Sequence, residues 1–255
     1  MGSLHENDKK YILNLYNRLN LEVERAEGVY LYDKDNNKYL DMYSGISVNN
    51  LGYDKGIAKA IKNQVDKYIH LSNYFVSEPT VNLAKLLVDN SFANSGTEAN
   101  EGALKLCRKY GRSINEDKVE ILSALNSFHG RTCGGLTLTG QEKYQKDFKP
   151  LLSGVNYFEF NNIESLRECV SENTCAVFLE VIQGEGGIVE VSQEFINEVV
   201  KLSKIYNFLI VIDEIQTGIG RSGDLFAFEK YNFTPDVVTL AKSIGGGLPL
   251  GAILV

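Results

Sequence analysis

The strongest structural signal in the sequence is Phe208-Leu-Ile-Val-Ile-Asp213, a short apolar run that ends in an acid. A second run, Val237-Val-Thr-Leu-Ala-Lys242, ends in a lysine. Near-continuous apolar runs of this length are typical of parallel strands that are buried on both faces. Open α/β sheets place their ligand sites at the carboxyl ends of such strands. We therefore expect Asp213 and Lys242 to lie where a buried sheet presents its ligand site.

Two further apolar runs, at 119–122 and 176–181, extend the pattern toward the N-terminus. Between the runs at 176–181 and 208–212, the segment Gln193–Tyr206 carries one apolar stripe at helical spacing, and Ser192 is placed to cap it. Strand, helix and strand in this order predict a βαβ crossover. The sequence therefore predicts an α/β fold.

The N-terminal part of the chain has a different sequence pattern. Residues 10–24 have apolar side chains at helical spacing, and we predict a helix there. Two short strands at 28–33 and 38–42 are joined by a turn at 35–37, because Asp and Asn are frequent in tight turns. Residues 1–52 are therefore predicted to belong to a small α+β subdomain, and residues 53–255 to one large domain.

Helices are also predicted at 57–68, at 81–88 and around 99–110, with Gly111 as the residue that ends the last of them. The chain stops inside an apolar run at 253–255. A domain seldom ends within a strand, so we expect the sequence to be truncated at its C-terminus.

Composition excludes several classes of function. The chain of 255 residues has a net charge of −7 and no basic run, which argues against a nucleic-acid surface. No apolar stretch reaches the ~18 residues of a membrane span. The four cysteines show no CxxC spacing and the three histidines are scattered, so no metal site is predicted. Four reduced thiols are expected in a cytoplasmic protein.

The segment Ser95-Gly96-Thr97-Glu98 opens the predicted helix at 99–110. Ser-x-x-Glu fits a capping box, which is a sufficient structural explanation. Backbone N–H groups of Gly96 and Thr97 at a helix N-terminus would also form a phosphate site, and the helix dipole would favour a phosphate there. The segment alone leaves both interpretations open.

Two loops that follow predicted strands also carry candidate residues. Phe128 could stack on a flat ring, and Arg131 could pair with a carboxylate in bidentate geometry. A polar loop with one anchoring aromatic residue explains the same pattern. Glu185 lies among glycines that would let the backbone approach a ligand, or it is a solvated acid in a tight turn.

Two nucleotide-binding motifs are matched only in part by the sequence. An apolar run before Asp213-Glu214 also occurs in nucleotide-hydrolysing enzymes, but these need a GxxxxGK[ST] loop, and Gly-Lys does not occur in this sequence. The segment 218–223 matches GxGxxG without the strand and helix that a dinucleotide site requires.

Taken together, the candidate residues fit one cofactor, pyridoxal phosphate. This cofactor needs a lysine for covalent attachment and an anion beside its ring nitrogen. Lys242 and Asp213 are of these two types, and the Gly245-Gly-Gly247 run after Lys242 allows close approach of a ligand. A lysine that simply reaches solvent is the structural alternative for Lys242.

From Val23 to Val255 the sequence resembles the class-III aminotransferases, which have the fold type I of pyridoxal-phosphate enzymes. The resemblance is carried by five segments, at 95–100, 128–132, 180–185, 213–218 and 240–251. It implies a mainly parallel central sheet with helices on both faces. The segments 43–52 and 139–148 look most like members that act on N-acetylornithine.

The resemblance also implies a role for each candidate residue. Lys242 would bond to the cofactor and move the proton, Asp213 would pair with the ring nitrogen, and Gln216 would approach the 3′ oxygen. Phosphate contacts would come from Ser95, Gly96 and Thr97, and ring stacking from Phe128. Arg131 would bind the substrate α-carboxylate. Glu185 would act as a gate that admits first the amino donor and then 2-oxoglutarate.

Three features depart from the family pattern. The arginine that pairs with the gate residue, and a phosphate-binding threonine of the partner subunit, lie in a C-terminal part that we expect this chain to lack. The link from Val88 to Phe92 is shorter than usual, and Glu180-Val181 replaces Glu-Pro. The implied protein is a homodimer that moves the δ-amino group of acetylornithine to 2-oxoglutarate. Ornithine or another ω-amino acid is the alternative donor, and a non-catalytic cofactor-binding paralogue is the rival from another class.

Overall fold

The computed structural model describes residues 3–87 and 90–255, which divide into two units. The first unit runs up to Ser44 and resumes over Leu51–Lys67. The second contains Gly45–Asn50 and Tyr68–Val255. The domain boundary at 52/53 stays a prediction.

The first unit contains a three-stranded antiparallel sheet in the order β1-β2-β3. The helices and strands up to residue 65 are α1 (Leu4–Tyr11), β1 (Val23–Glu27), β2 (Tyr30–Asp33), β3 (Lys38–Leu40), α2 (Ser44–Ser47) and α3 (Lys55–Val65). The predicted hairpin turn is confirmed, because the carboxylate of Asp33 accepts hydrogen bonds from the backbone N–H groups of Asp35 and Asn37.

The predicted helix over residues 10–24 is wrong. Helix α1 begins after Ser3, whose side chain and that of Glu6 form a capping box, and it ends at Tyr11. The apolar stripe that suggested a longer helix is not buried, since Leu15 and Leu19 are 67% and 63% exposed. Asparagine, a weak helix former, recurs through this segment, so little stabilises a helix there.

The second unit is built around a seven-stranded sheet in the order β4-β12-β11-β10-β7-β5-β6. Its strands are β4 (Asn90–Ala93), β5 (Glu120–Ala124), β6 (Val155–Phe158), β7 (Thr174–Leu179), β10 (Leu209–Asp213), β11 (Val237–Leu240) and β12 (Gly251–Leu254). A separate two-stranded sheet pairs β8 (Ile182–Gln183) with β9 (Val189–Glu190). Strand β12 is antiparallel to both of its neighbours and the other pairs are parallel, so the predicted mainly parallel sheet is confirmed.

Helices of the second unit connect these strands. They are α4 (Glu78–Leu87), α5 (Gly96–Ile114), α6 (Cys133–Leu138), α7 (Glu142–Gln145), α8 (Ile163–Cys169) and α9 (Gln193–Tyr206). Short 3₁₀ segments lie at Lys146–Phe148, Ala227–Tyr231 and Lys242–Gly245. Each helix in the described part of the chain is too short or too polar to span a bilayer.

Alternate residues of the central strands face two different apolar clusters. Val177 and Ile210 pack in a cluster with α8 and α9, whereas Phe178 and Val211 pack in a cluster with α5. Both faces of the sheet are therefore covered by helices, as predicted. This explains why the strands read as continuous apolar runs rather than as alternating patterns.

The four strands predicted for the large domain and the helix Gln193–Tyr206 are confirmed, with strand ends displaced by up to two residues. The role predicted for Gly111 is wrong, because α5 continues to Ile114. A side chain at Gly111 would overlap the carbonyl oxygen of Lys118, so this glycine is needed for close packing against the sheet. Val88, the predicted end of α4 and the start of the short link to Phe92, lies outside the described residues.

Candidate active site

Carboxyl ends of the central parallel strands bring the candidate residues to one edge of the sheet. Asp213 ends β10, and Lys242 follows β11. Glu180 follows β7 directly, and Phe128 lies in the loop after β5. The strand order places these four strand ends next to one another, β11-β10-β7-β5.

Asp213 is 4% exposed, and its carboxylate accepts three hydrogen bonds. Oδ2 accepts from Asn100 Nδ2 and from His129 Nδ1, both at 2.8 Å. Oδ1 accepts from the backbone N–H of Ile215 at 3.0 Å. A carboxylate group offers about four acceptor positions, so the contacts of the described residues leave one position, and it is on Oδ1.

His129 is buried beside this carboxylate. Burial alone would lower the pKa of the imidazole, but the hydrogen bond and charge of Asp213 outweigh it, so the pKa of His129 is raised. Its Nε2 atom is buried and has no hydrogen-bond partner among the described residues. His129 therefore acts on Asp213 through Nδ1.

Asn100 connects Asp213 to the neighbouring strand. Its Oδ1 accepts from Thr239 Oγ1 at 2.8 Å, and its Nδ2 also donates to the carbonyl oxygen of His129 at 2.8 Å. Asn100 and Thr239 are both fully buried. Sequence patterns assign no role to either residue. The position of Asn100 between the apolar residues Ala99 and Ala103 could have indicated a buried polar group on this face of the helix.

Lys242 begins a 3₁₀ segment with a left-handed backbone conformation, φ 51°, which is uncommon for a residue other than glycine. Burial lowers the pKa of its amine, and the charges of Asp213, Glu185 and Glu180 partly oppose this shift. A lowered pKa increases the fraction of neutral amine at a given pH, and the neutral amine is the nucleophilic and basic form.

Glu180 is a second buried carboxyl group at this edge. Its Oε2 accepts from the backbone N–H of Phe128 at 3.0 Å. Burial raises the pKa of Glu180 to about 7, and the charge of Asp213 adds to this, whereas His129 and Lys242 oppose it. The sequence does not indicate a role for Glu180, because its contact with Phe128 spans 52 positions.

The N-terminus of α5 holds the predicted phosphate residues. The side chain of Ser95 accepts from the Glu98 N–H, but Glu98 bonds back to the N–H of Asn94, so the predicted capping box is only half formed. The first N–H groups of a helix have no intrahelical partner, which leaves those of Gly96 and Thr97 for a ligand. A Cβ at Gly96 would lie 2.8 Å from Ile215 Cδ1, so a larger residue there would require the Ile215 side chain to move.

The hydroxyl group of Thr97 also lies at the N-terminus of α5. Its Oγ1 lies 2.8 Å from Thr132 Oγ1. A side chain at Gly130 would overlap Thr97 Oγ1, so the loop that carries Phe128 approaches the start of α5 closely. The predicted phosphate residues and the predicted ring-stacking residue thus belong to neighbouring loops.

Glu214 and Gln216 follow Asp213 in the loop after β10. Glu214 accepts from the Phe228 backbone N–H at 2.9 Å and from the Thr217 hydroxyl, so it is a buried structural residue of the loop. The amide of Gln216 lies against Gly184, where a Cβ would overlap its Oε1. The loop thereby places Gln216 beside the segment that follows β7.

Arg131 and Glu185 are both exposed. The Arg131 guanidinium lies 5.6 Å from the ring centroid of Tyr144, and the ring of Phe128 packs edge-on against the same tyrosine. The negative charge of Glu185 raises the pKa of Lys242 and so partly opposes the effect of burial. These two residues lie at the accessible side of the site, in contrast to the buried Asp213.

The family model for "Aminotransferase class-III" matches residues 12–255. The chain is 48% identical to an acetylornithine aminotransferase of Caldanaerobacter subterraneus, over 97% of this chain and 65% of that protein. A solved N-acetylornithine aminotransferase from Stenotrophomonas maltophilia has a TM-score of 0.83 at 34% identity, covering 99% of this chain and 65% of that one. An ornithine aminotransferase from Toxoplasma gondii, solved with partial occupancy of PLP, has a TM-score of 0.92 at 26% identity, with 98% and 62% covered. The chain thus spans slightly less than two thirds of the length of these proteins.

Proposed function

The chain belongs to the class-III aminotransferase family, and from this premise we propose that it transfers amino groups with pyridoxal phosphate as cofactor. The observation that carries the proposal is the arrangement of Asp213 and Lys242. They follow adjacent parallel strands, whose register pairs Asp213 with Thr239, so Lys242 lies three residues beyond its partner position. An acid and a partly buried lysine at one sheet edge are the two groups this cofactor requires.

The remaining residues fit the other parts of the cofactor. Gly96 and Thr97 offer free N–H groups at a helix N-terminus for its phosphate. Asp213 has one acceptor position left on Oδ1 for a protonated ring nitrogen. We assign ring stacking to Phe128 and contact with the ring oxygen to Gln216. Pyridoxal phosphate supplies an electron sink when bound.

Lys242 carries the proton transfer in this proposal. Its lowered pKa favours a neutral amine, which would hold the cofactor covalently and, once the substrate amine has displaced it, would be free to accept the proton from the substrate carbon that bears the amino group. Asp213 would keep a proton on the ring nitrogen of a bound cofactor, because an adjacent anion favours the charged form of a pyridinium. Glu180 fixes the backbone of Phe128 and adds a carboxyl group near the Lys242 amine.

We assign N-acetylornithine as the amino donor and 2-oxoglutarate as the acceptor. The δ-amino group would pass to 2-oxoglutarate, and the products would be N-acetylglutamate semialdehyde and glutamate, as in arginine biosynthesis. The assignment is supported by the similarity to acetylornithine aminotransferases. Arg131 is an exposed guanidinium suited to the α-carboxylate, and Glu185 is suited to act as the gate.

Ornithine is the second candidate donor, because the ornithine aminotransferase of Toxoplasma gondii has the higher TM-score. Both donors carry an α-carboxylate and a distant amino group, so Arg131 does not discriminate between them. A non-catalytic cofactor-binding protein is disfavoured, since Lys242 is partly buried among carboxylates as the reaction requires.

We also propose a homodimer in the cytosol. The segment Tyr74–Val76 exposes its apolar side chains, with Tyr74 95% and Val76 88% exposed, as expected of a surface that a second copy covers. The four cysteines are free thiols, which is typical of cytosolic proteins. Light scattering of the purified protein should give twice the chain mass, and a monomer mass would contradict the dimer.

Initial-rate assays test the substrate assignment. Purified protein with pyridoxal phosphate and 2-oxoglutarate is given N-acetylornithine or ornithine, and glutamate is measured. We expect kcat/KM to be at least about tenfold higher with N-acetylornithine, since a correctly placed polar contact is worth ~1.4 kcal/mol or more. Preference for ornithine would contradict the assigned donor but not the aminotransferase reaction.

A further inference from the structure

We propose that Asn100 is a positioning residue that determines which oxygen of Asp213 faces the ring nitrogen of the cofactor. The inference rests on the proposed function, because it concerns the way in which the site prepares Asp213 for pyridoxal phosphate. Its basis is a chain of buried hydrogen bonds that runs from Thr239 through Asn100 to Asp213.

Hydrogen bonds to Asp213 are distributed unequally over its two oxygens. Oδ2 accepts two side-chain donors, Asn100 Nδ2 and His129 Nδ1, which use both of its lone pairs. Within the described part of the chain, Oδ1 accepts only the Ile215 N–H. Rotation of the carboxylate would break all three bonds in a buried site, where unpaired polar groups are costly. Oδ1 is therefore the oxygen left for the ring nitrogen.

Asn100 supplies hydrogen-bond donors that are independent of pH, which His129 cannot do. An imidazole changes its donor pattern when it titrates, whereas a carboxamide keeps its two N–H donors at every pH. The Thr239 hydroxyl donates to Asn100 Oδ1, which directs the Nδ2 donors toward Asp213 Oδ2 and the His129 carbonyl oxygen. The hydrogen bond from Asn100 to Asp213 thus does not depend on the protonation state of His129.

The position of Asn100 in the fold strengthens the argument. Asn100 is on α5, one turn after Gly96 and Thr97, which we assign to the cofactor phosphate. Thr239 is on β11 directly opposite Asp213 in the strand register. One rigid helix would therefore position both the phosphate and the partner of the ring nitrogen, and rigid elements hold a site more accurately than loops do.

Ring-¹⁵N-labelled pyridoxal phosphate gives a direct test. Its ring-nitrogen chemical shift reports ring protonation, and we propose to measure it against pH in the wild type, Asn100→Ala and Thr239→Val. Without the Asn100 donor, the Asp213 carboxylate can turn, so the ring nitrogen should lose its proton at lower pH than in the wild type. The dissociation constant of the cofactor should rise about tenfold. Thr239→Val keeps Asn100 and should give a smaller shift in the same direction.

Thr174→Val is the matched control. Thr174 is also a fully buried threonine in a strand of the same sheet, and its hydroxyl accepts from the Ser171 N–H, away from Asp213. It should lower stability without moving the ring-nitrogen midpoint. A purely structural Asn100 would behave in the same way as Thr174. An unchanged midpoint and unchanged affinity in a folded Asn100→Ala or Thr239→Val variant would overturn the inference.

A measurement without cofactor separates this inference from the proposed function. Loss of Asn100 leaves His129 as the remaining side-chain donor to Asp213 Oδ2 among the described contacts, so the imidazole NMR titration of His129 should shift upward. His5 and His70 serve as internal references. Failure of the wild type to bind pyridoxal phosphate would contradict the function, whereas an unmoved His129 titration in Asn100→Ala would contradict the hydrogen-bond arrangement itself.

Discussion

Adjacent acids at the end of β10 have different roles, and this distinction appears only at the residue scale. Asp213 points its carboxylate to Asn100 and His129 in the site, while Glu214 closes the loop after the strand. The sequence places both acids at the end of a buried strand. It therefore predicts that they lie at the edge of the sheet, but not which of them faces the site. The partners of Asp213 are 113 and 84 positions away, and no local pattern indicates such contacts.

Much of the candidate site was predictable because strand ends of a parallel sheet share one edge. Asp213 and Lys242 were identified on this basis, and the start of α5 was identified from its helix-capping pattern. Asn100, Thr239 and Glu180 were not assigned roles, because a buried polar residue reveals its role only when its partners are known. The assigned roles of the site residues remain proposals.

Glu180 leads to a prediction about stability and pH. Its carboxyl group keeps a proton up to about pH 7 in the folded protein, but it ionises near its ordinary value of 4.5 in the unfolded chain. The folded state therefore binds more protons between these two values, and this group lowers stability as pH rises through the window. Glu180→Gln does not titrate, so its unfolding free energy relative to the wild type should increase by up to ~3 kcal/mol across the window.

Urea unfolding of the cofactor-free protein near pH 5 and near pH 8 measures this difference. Glu185→Gln, at an exposed position of the same edge, controls for the loss of one negative charge. A difference between Glu180→Gln and the wild type that is the same at both pH values would contradict the buried, protonated state of Glu180.

At the scale of the elements, sequence patterns predicted the apolar strands well and the isolated segments poorly. Strands β5, β7, β10 and β11 are buried on both faces, which leaves an unmistakable apolar run. Strands β4 and β6 were missed, because each is short and contains polar residues. The helix predicted over residues 10–24 is wrong for the opposite reason. Its apolar residues have helical spacing, but their side chains are not buried.

Helix α5 provides a matched pair of glycine substitutions. A Cβ at Gly111 would overlap the backbone carbonyl of Lys118 and lie 2.6 Å from Cys175 Cβ, so Gly111→Ala must displace the helix from the sheet. We expect a loss of ~1–3 kcal/mol or more. A Cβ at Gly102 would meet only the side chain of Ile253, whose end can move. Gly102→Ala should therefore cost under ~1 kcal/mol, because alanine favours the helix.

Denaturant unfolding of the two variants tests the packing of α5. Both changes add one methyl group to the same helix, so their propensity effects cancel in the comparison. Equal stabilities for Gly102→Ala and Gly111→Ala would show that α5 does not approach the sheet as closely as described.

On the scale of the whole molecule, the proposed cofactor site belongs to one unit. Ser95, Phe128, Asp213 and Lys242 all fall within Tyr68–Val255. The chain as a whole spans 65% of the length of the Caldanaerobacter acetylornithine aminotransferase that it matches. Cofactor attachment is the property that the described residues themselves predict.

Covalent trapping of pyridoxal phosphate tests the central claim most directly. Purified protein is incubated with the cofactor, reduced with borohydride, digested and analysed by mass spectrometry. The account predicts one modified peptide, with the added mass on Lys242, and a Lys242→Ala variant that retains cofactor without covalent attachment. A wild type that takes up no cofactor, or a stable label on another lysine while Lys242 is unmodified, would contradict it.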